Sequence, residues 1–390
     1  MKILMLGQGP LPSSSEPFCS FPQLRTWSIY NALQEWSKQY GHTIELVLVH
    51  DGRQTEGLNV YSSTDMMSLY NKANNCDVAL TAGPFHPLIA LMHLPNSIPL
   101  WLDYPSDPLA DRDARNRKSP LSNSEWNFLS ELTINALHRA DAMGVISKRQ
   151  YWATIGQRLG ISATDIPIAY VPIAFEFPRP MRNSTGTDIL LAGSNNAWLN
   201  IEKLTDHLKG QTIHCTGITV PGLASTPLPK EWKQYGWLPP IDLDRVIDNC
   251  GFGVWADEQG VEPLLGSRTR ALFYIWNGLT PVGDTTTELA LTLYKGGHMS
   301  SWSDIQPLSS VNIESAQQYC HTHFGPKTAY KGLLEWLQSP SIKHKRPNSS
   351  THEENLRLRE TLRKIHTSPT WRIGSTVHKW INNIRSVDRK

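Results

Sequence analysis

The chain has 390 residues, of which 39% are hydrophobic and 18% charged, so it is globular and long enough for two domains. Its net charge of +2 gives no overall field for nucleic acid, and we expect no nucleic-acid partner. Five scattered cysteines without a C-x-x-C pair argue against a disulfide framework and are typical of a reducing cytosol.

The first predicted element is a strand, Lys2–Leu6, within the opening MKILMLG, whose apolar run is too short for a signal peptide. A helix over Pro22–Tyr40 follows, with Ser20 and Gly41 at the positions expected of its caps. Further strands of the first half are predicted at Thr43–Val49, Asp77–Ala82, Pro99–Asp103, Ala142–Ser147 and Ala169–Ile173. Strands that alternate with helical stretches indicate a parallel, doubly wound sheet.

A Pro-rich, polar stretch at residues 175–186 has the composition of a domain linker. The pattern then restarts, with strands predicted at Asp188–Ala192, Thr212–Thr216, Gly253–Trp255 and Pro281–Gly283. The fold class predicted is α/β, with two doubly wound Rossmann-like domains, residues 1–178 and 179–342, facing each other across a cleft. Ligands of such sheets bind outside the carboxyl ends of the strands.

The loop GQGPLPSSSEP begins at Gly7, and it departs from the dinucleotide fingerprint because Pro12 occupies the place of the third glycine. We therefore expect no NAD or FAD, and no other cofactor. Gly7 and Gly9 are candidates for close approach of a substrate to the backbone. A plain surface loop is the alternative.

Two D-x-D triplets could hold a divalent metal between phosphates, but each has a simpler interpretation. Asp242 precedes a helical segment and is interpreted as its N-cap, close to Asp244. Asp111 and Asp113 lie in a charged run that reads as a solvated loop. The sequence therefore predicts no metal site.

His86 follows one predicted strand of the first half and Asp103 ends the next, so both lie at one carboxyl edge. Either side chain is a candidate general base. For His86 the alternative is an imidazole that packs a loop. For Asp103 it is a cap or turn residue, since Pro105 and Asp107 also favour a turn.

Arg268 and Arg270 fall in the first turn of an apolar helix, where positive charge opposes the helix dipole. A bound anion would make the arrangement favourable, since helix N–H groups and guanidinium forks suit phosphate oxygens. A diphosphate is the anion that we expect, with Ser267 and Thr269 beside the arginines. The alternative is internal neutralisation by the acidic residues Asp257, Glu258 and Glu262.

These segments resemble a branch of bacterial glycosyltransferase family 4, which has the GT-B fold. GSRTRALFYIWNGLTPVGDTTTELA is similar to its S-F-R-T-R-x-L-x-Y-L-W-x-G-L-P stretch, and PLWLDYPSDPLAD to its D-L-Y-D-P segment. GSNNAWLNIEKL resembles its G-G-x-N-T-W segment, which marks Asn196 and Trp198, and SPTWRIGSTVHKW resembles a tail of bacterial glycosyltransferases.

The resemblance implies sugar transfer from a nucleotide diphosphate sugar, bound by the second domain, to an acceptor on the first. The acceptor would be a glycan, a lipid-linked saccharide or a small molecule, and no metal would be needed. Glu262 matches the first of two family glutamates, whereas Arg270 stands where the second is found. The family's Arg and Lys after the first strand of the second domain are also missing before Lys203. Retention and inversion both stay open.

Two further hypotheses are alternatives to the hypothesis that the protein is a cytoplasmic glycosyltransferase. One is a sugar-nucleotide epimerase of the same shape, and the other is a non-catalytic nucleotide-sugar-binding protein. Residues 343–390 form a basic linker and helix, with 12 Lys and Arg against 4 Asp and Glu, or +8. An apolar stripe from Ile373 to Ile384 predicts that this helix packs on the first domain, and a peripheral contact with the inner membrane face is the alternative.

Overall fold

The structure, a computed structural model, describes residues 1–12, 20–49, 59–61, 66–83, 86–116, 122–163, 165–193, 198–217 and 227–343. The chain divides into a large unit, 1–120 with 132–343, and a small unit, 121–131 with 344–390. In the described part of the small unit, Ser122 and Glu125 form a reciprocal cap: the Ser122 N–H donates to Glu125 Oε2 (3.0 Å) and the Glu125 N–H to Ser122 Oγ (3.3 Å). The predicted C-terminal helix and its stripe lie outside the described residues.

Seven parallel strands form the first sheet of the large unit, in the order β3-β2-β1-β4-β5-β6-β7. They are β1 (Lys2–Gln8), β2 (Thr43–Val49), β3 (Asn59–Tyr61), β4 (Val78–Thr81), β5 (Leu100–Tyr104), β6 (Ala142–Val145) and β7 (Ile168–Tyr170). The helices of this first half are α1 (Phe21–Tyr40), α2 (Met66–Asn74), α3 (His86–Leu91), α4 (Pro108–Asn116), α5 (Asn123–Arg139) and α6 (Lys148–Gly160).

Six parallel strands form the second sheet, in the order β10-β9-β8-β11-β12-β13. They are β8 (Asp188–Ala192), β9 (Ile213–Thr216), β10 (Lys233–Gly236), β11 (Cys250–Val254), β12 (Thr280–Gly283) and β13 (Ser300–Ser301). The helices of this second half are α7 (Ile201–His207), α8 (Pro240–Ile247), α9 (Val261–Leu265), α10 (Thr269–Trp276), α11 (Glu288–Lys295) and α12 (Ile313–Phe324). Helices α13 (Pro326–Ala329) and α14 (Lys331–Leu337) follow.

The predicted α/β class with two doubly wound sheets is confirmed. Helix α1 is capped as the sequence indicates, since the Ser20 N–H donates to Gln23 Oε1 (2.8 Å) and Gly41 has a left-handed φ of 66°. Three strands were not predicted: β3, β10 and β13. All three are edge strands of two to four residues, too short to show a periodicity.

Helices α13 and α14 return to the first half, although the sequence assigned residues up to 342 to the second domain. Tyr330 and Leu333 are buried in the same core as Ile3 of β1 and Ile29 of α1. The Tyr330 hydroxyl donates to Ser28 Oγ (2.8 Å), so a polar contact also ties this return to α1. The C-terminal boundary of the second half is therefore set by how the apolar faces of α13 and α14 pack, which the spacing of apolar residues in the sequence does not reveal.

Both D-x-D triplets lie on helices. Asp111 and Asp113 belong to α4, so their prediction as a solvated loop was wrong. Asp242 lies in the first turn of α8, whose N-cap is Pro239, and it accepts a bond from Arg245 (2.8 Å). Asp244 pairs with Arg182 (2.8 Å) and with Arg179. In the part of the chain that the structure describes, no helix is long and apolar enough to span a bilayer.

Candidate functional site

The carboxyl ends of three neighbouring strands of the second sheet carry the residues of the candidate site. Gly193 follows β8, Asp257 lies three residues beyond β11, and Asp284 follows β12. Because these strands are parallel, their carboxyl ends meet at one edge of the sheet. With side chains from α7, α9 and α10 they form what we call the charged cluster: Lys203, Asp257, Glu262, Arg268, Arg270 and Asp284.

Arg268 occupies the N-cap position of α10, directly before the first turn predicted for it, and its guanidinium binds protein carboxylates. Its Nε donates to Asp257 Oδ1 (2.6 Å), its Nη2 lies 3.3 Å from Glu262 Oε2, and it is 5% exposed. Burial by itself lowers the pKa of Arg268, but the two carboxylates outweigh it and the pKa is raised. The alternative of internal neutralisation therefore describes Arg268.

Arg270 lies in the first turn of α10, and its guanidinium reaches the end of β8. A Cβ placed on Gly193 would stand 3.6 Å from Arg270 Nη2, and Gly193 has a φ of 92°, where a side chain is strained. Burial lowers the pKa of Arg270, with the Tyr274 hydroxyl acting in the opposite direction. This cation therefore lies at the point where β8 passes into the stretch that contains Asn196, which is outside the described residues.

Asp284 and Lys203 are members of the charged cluster that the sequence did not single out as a pair. Lys203 Nζ donates to Asp284 Oδ1 (2.5 Å), while Asp284 Oδ2 accepts the backbone N–H of Asp257 (2.7 Å). Asp284 thus fixes the backbone that carries the Asp257 carboxylate. Its position directly after a predicted buried strand was the available signal.

The remaining predicted residues of the second half border the cluster. Thr269 is the first residue of α10 and Ser267 precedes Arg268; both are half-buried. Trp198, also half-buried, accepts the Glu258 N–H on its backbone oxygen (2.8 Å). Trp198 is therefore held beside the segment that carries Asp257.

Asp103 is the last but one residue of β5, next to the predicted carboxyl end, and it is the acceptor of a buried ion pair. Arg25 Nη2 lies 2.8 Å from Asp103 Oδ1 and Arg25 Nε 3.2 Å from Oδ2, and Asp103 is 1% exposed. The Gly83 N–H also donates to Oδ2 (3.3 Å). Both carboxylate oxygens of Asp103 are therefore occupied by donors within the protein.

The other residues predicted in the first half have different surroundings. Gly7 belongs to β1, and a Cβ there would lie 2.2 Å from Thr26 Cγ2, so the close approach that it permits is that of α1. Its assignment to a substrate loop is therefore corrected. Gly9 follows β1, and its carbonyl accepts from Gln23 Nε2 (2.9 Å). His86 begins α3 after β4, and its side chain lies outside the described residues.

Polar bonds join the start of α6 in the first half to the second half. Ser147 Oγ donates to the Leu265 carbonyl (2.8 Å), at the end of the helix that carries Glu262. Glu288 Oε2 accepts the N–H groups of Lys148 (2.8 Å) and Arg149 (3.2 Å). The charged cluster is therefore tied through α9 and α11 to the carboxyl edge of the first sheet.

Comparison with known proteins rests on structure. No family model and no curated protein matches the sequence. AviGT4, a glycosyltransferase involved in avilamycin A biosynthesis, has a TM-score of 0.50 and 12% identity, over 87% of this chain and 98% of that one. T4 phage BGT in complex with its UDP-glucose substrate has a TM-score of 0.50 and 11% identity, over 88% and 100%.

The fold is GT-B. At 11–12% identity the likeness extends to the fold and no further. The matched structures also include an alpha-glucosyltransferase in complex with UDP and a 13-mer DNA, at 12% identity and a TM-score of 0.48 over 92% of this chain and 99% of that one. The expectation that nucleic acid is not a partner stays a prediction. Among the described residues, no group of three His, Cys, Asp or Glu side chains is arranged to hold a metal ion.

Proposed function

We propose that the protein is a glycosyltransferase that moves a sugar from a nucleotide diphosphate sugar to an acceptor hydroxyl. The observation that carries the proposal is the charged cluster at the carboxyl edge of the second sheet of a GT-B fold. This is the edge at which parallel α/β sheets bind ligands. Arg270 and the N-terminus of α10 supply positive charge there, and a diphosphate is the anion that suits them.

Arg270 and Arg268 have different proposed roles. Arg270 and the N-terminal end of α10 would bind the diphosphate and stabilise its charge as the sugar departs. Arg268, neutralised by Asp257 and Glu262, would hold those carboxylates and the start of α10 in place. We propose that Ser267, Thr269, Asn196 and Trp198 complete the donor side, since they precede α10 or follow β8.

The proposed reaction needs no metal ion and no other cofactor, because protein cations stabilise the leaving diphosphate. Both D-x-D triplets support this view, since Asp242 and Asp244 bind arginines and Asp111 lies on α4. As general base we retain His86, which begins α3 at the edge where β4 ends. Asp103 is better suited to holding Arg25 in place.

We propose a glycan, a lipid-linked saccharide or a small molecule as the acceptor, and the cytoplasm as the location. UDP-glucose is the first donor to test, because it is the substrate in the T4 phage BGT structure. Contact of the basic segment 343–390 with the inner membrane face remains the alternative to its packing on the first domain.

The experiment is a thermal-shift screen against UDP, GDP, dTDP and CMP, followed by turnover assays with UDP-glucose. A ligand that binds only the folded protein raises its melting temperature. Arg270→Ala should abolish the shift, whereas Arg245→Ala, on the exposed face of α8, should keep it.

The products separate the competing functions. Transfer to an added saccharide supports the proposal. Release of an epimer or of free nucleotide without any acceptor would indicate an epimerase, and a shift without turnover would indicate a binding protein. Absence of a shift with every nucleotide would refute the donor site.

A further inference from the structure

Asp257 is the one member of the charged cluster with an unsatisfied carboxylate oxygen. Its Oδ1 accepts from Arg268 Nε (2.6 Å), but its Oδ2 is enclosed and has no hydrogen-bond partner among the described residues. The residue is 9% exposed. A buried acceptor without a donor is costly, so such an atom in a native structure calls for an explanation.

Neighbouring carboxylates of the cluster differ from Asp257 in this respect. Asp284 accepts from Lys203 Nζ on one oxygen and from the Asp257 N–H on the other. Glu262 faces Arg268 with both oxygens, at 3.5 and 3.3 Å. The open acceptor is therefore a property of Asp257 Oδ2, and it points to a missing donor at that atom.

The charge around Asp257 decides which donor fits. The charged cluster as a whole holds three cations and three carboxylates, so a further cation would add an uncompensated charge. Burial raises the pKa of Asp257, and the contact with Arg268 opposes this rise. A neutral O–H donor satisfies the oxygen without adding charge.

We infer that Asp257 Oδ2 accepts a hydrogen bond from a hydroxyl of the bound sugar nucleotide and so selects donors that carry this hydroxyl. The inference rests on the proposed function, because a sugar nucleotide presents hydroxyls on its ribose and on its hexose. A site that holds an enclosed acceptor discriminates strongly, since an analogue without the hydroxyl leaves that acceptor unpaired.

The test compares matched ligands with matched variants by calorimetry. UDP and GDP are each measured against their 2′-deoxy and 3′-deoxy counterparts, and UDP-glucose against its 2-deoxyglucose analogue. In the wild type, loss of the contacting hydroxyl should weaken binding about 10-fold or more, as expected for a hydrogen bond to a charged group. In Asp257→Asn the same loss should cost about twofold or less.

Asp284→Asn is the matched control, because Asp284 lies in the same cluster but has both oxygens satisfied within the protein. It should weaken a ligand and its deoxy analogue by the same factor. If Asp257→Asn no longer distinguishes UDP or GDP from a deoxyribose counterpart, the contacting hydroxyl is on the ribose. If it no longer distinguishes UDP-glucose from the 2-deoxyglucose analogue, the contacting hydroxyl is on the hexose. A structural role of Asp257 would weaken all ligands alike.

The deoxy series with the wild type needs no variant, so it can refute the inference even if Asp257→Asn fails to fold. If each hydroxyl can be removed with less than a twofold loss, or if the losses are equal in the wild type and Asp257→Asn, the inference is wrong while the donor site stands. If the wild type binds none of UDP, GDP, dTDP and CMP, the proposed function and the inference fail together.

Discussion

The Arg25 guanidinium forms an ion pair with the Asp103 carboxylate in the first half of the molecule, and both side chains are 1% exposed. Arg25 lies in the second turn of α1 and Asp103 within β5, and the same guanidinium donates to the carbonyls of Val171 (3.0 Å) and Pro172 (2.6 Å). One cation thus joins α1, β5 and the chain that leaves β7. Asp103 consequently holds Arg25 within a buried hydrogen-bond network.

Asp103→Asn should therefore act on stability. Breaking one side of a buried ion pair leaves the partner charge uncompensated, at a cost of about 3–5 kcal/mol. We expect the free energy of unfolding in urea to fall by about that amount. Asp206→Asn removes an exposed ion pair with Lys209 and should have little effect. An unchanged unfolding curve with a turnover reduced about 10²–10⁴-fold would instead establish Asp103 as a base.

Substitutions at the two arginines of α10 should separate binding from stability. Arg270→Ala should weaken nucleotide diphosphate binding by about 1.5–3 kcal/mol with the fold kept, as for loss of a charged hydrogen-bonding partner. Arg268→Ala strands two carboxylates in a buried site and should also lower the free energy of unfolding by about 3 kcal/mol. Calorimetry and urea unfolding measure the two effects. Equal binding by Arg270→Ala and the wild type would disprove the anion site.

Glu288 should hold the second half against α6. Its carboxylate lies in the first turn of α11 and accepts two N–H groups from the start of α6. Glu288→Ala should cost about 1–3 kcal/mol of stability and increase the radius of gyration in X-ray scattering. Glu314→Ala, in the exposed first turn of α12, removes only a helix-dipole contribution of about 0.3–1 kcal/mol. Identical effects of the two variants would contradict this role.

His298 should make stability fall in mild acid. Burial lowers its pKa from the ordinary 6.5, with His323 acting in the same direction, and its Nδ1 has no hydrogen-bond partner among the described residues. A depressed histidine pKa means that the unfolded chain takes up the proton first. Stability is therefore full above about pH 6.5 and is lost as the pH falls below it. His298→Asn should reduce the fall in melting temperature between pH 7 and pH 5. The same change at the exposed His321 should leave that fall unchanged.

Chelation should leave turnover unaffected. In the proposed mechanism arginine and helix N–H groups carry the charge of the leaving diphosphate, so EDTA should not lower the rate. Asp111→Ala on α4 should likewise have little effect. A rate that disappears with EDTA and returns with magnesium or manganese would overturn metal independence.

The sequence determined the elements and their order. Apolar runs gave strands such as Thr43–Val49 and Asp188–Ala192 with the bounds that the structure has, because buried parallel strands are continuously apolar. The α1 caps and the place of Arg268 and Arg270 at the start of α10 were also local signals. Such features depend on neighbours within a few residues, which the sequence displays directly.

Only the tertiary structure decided which charges meet. Arg25 and Asp103 are 78 residues apart in the sequence, and Lys203 and Asp284 are 81 residues apart. The sequence around one residue of such a pair does not indicate which residue binds it. The return of α13 and α14 to the first core depends in the same way on a face supplied by distant strands. An ion pair is selected by the position and burial of both groups, since its strength depends on distance and on the exclusion of water.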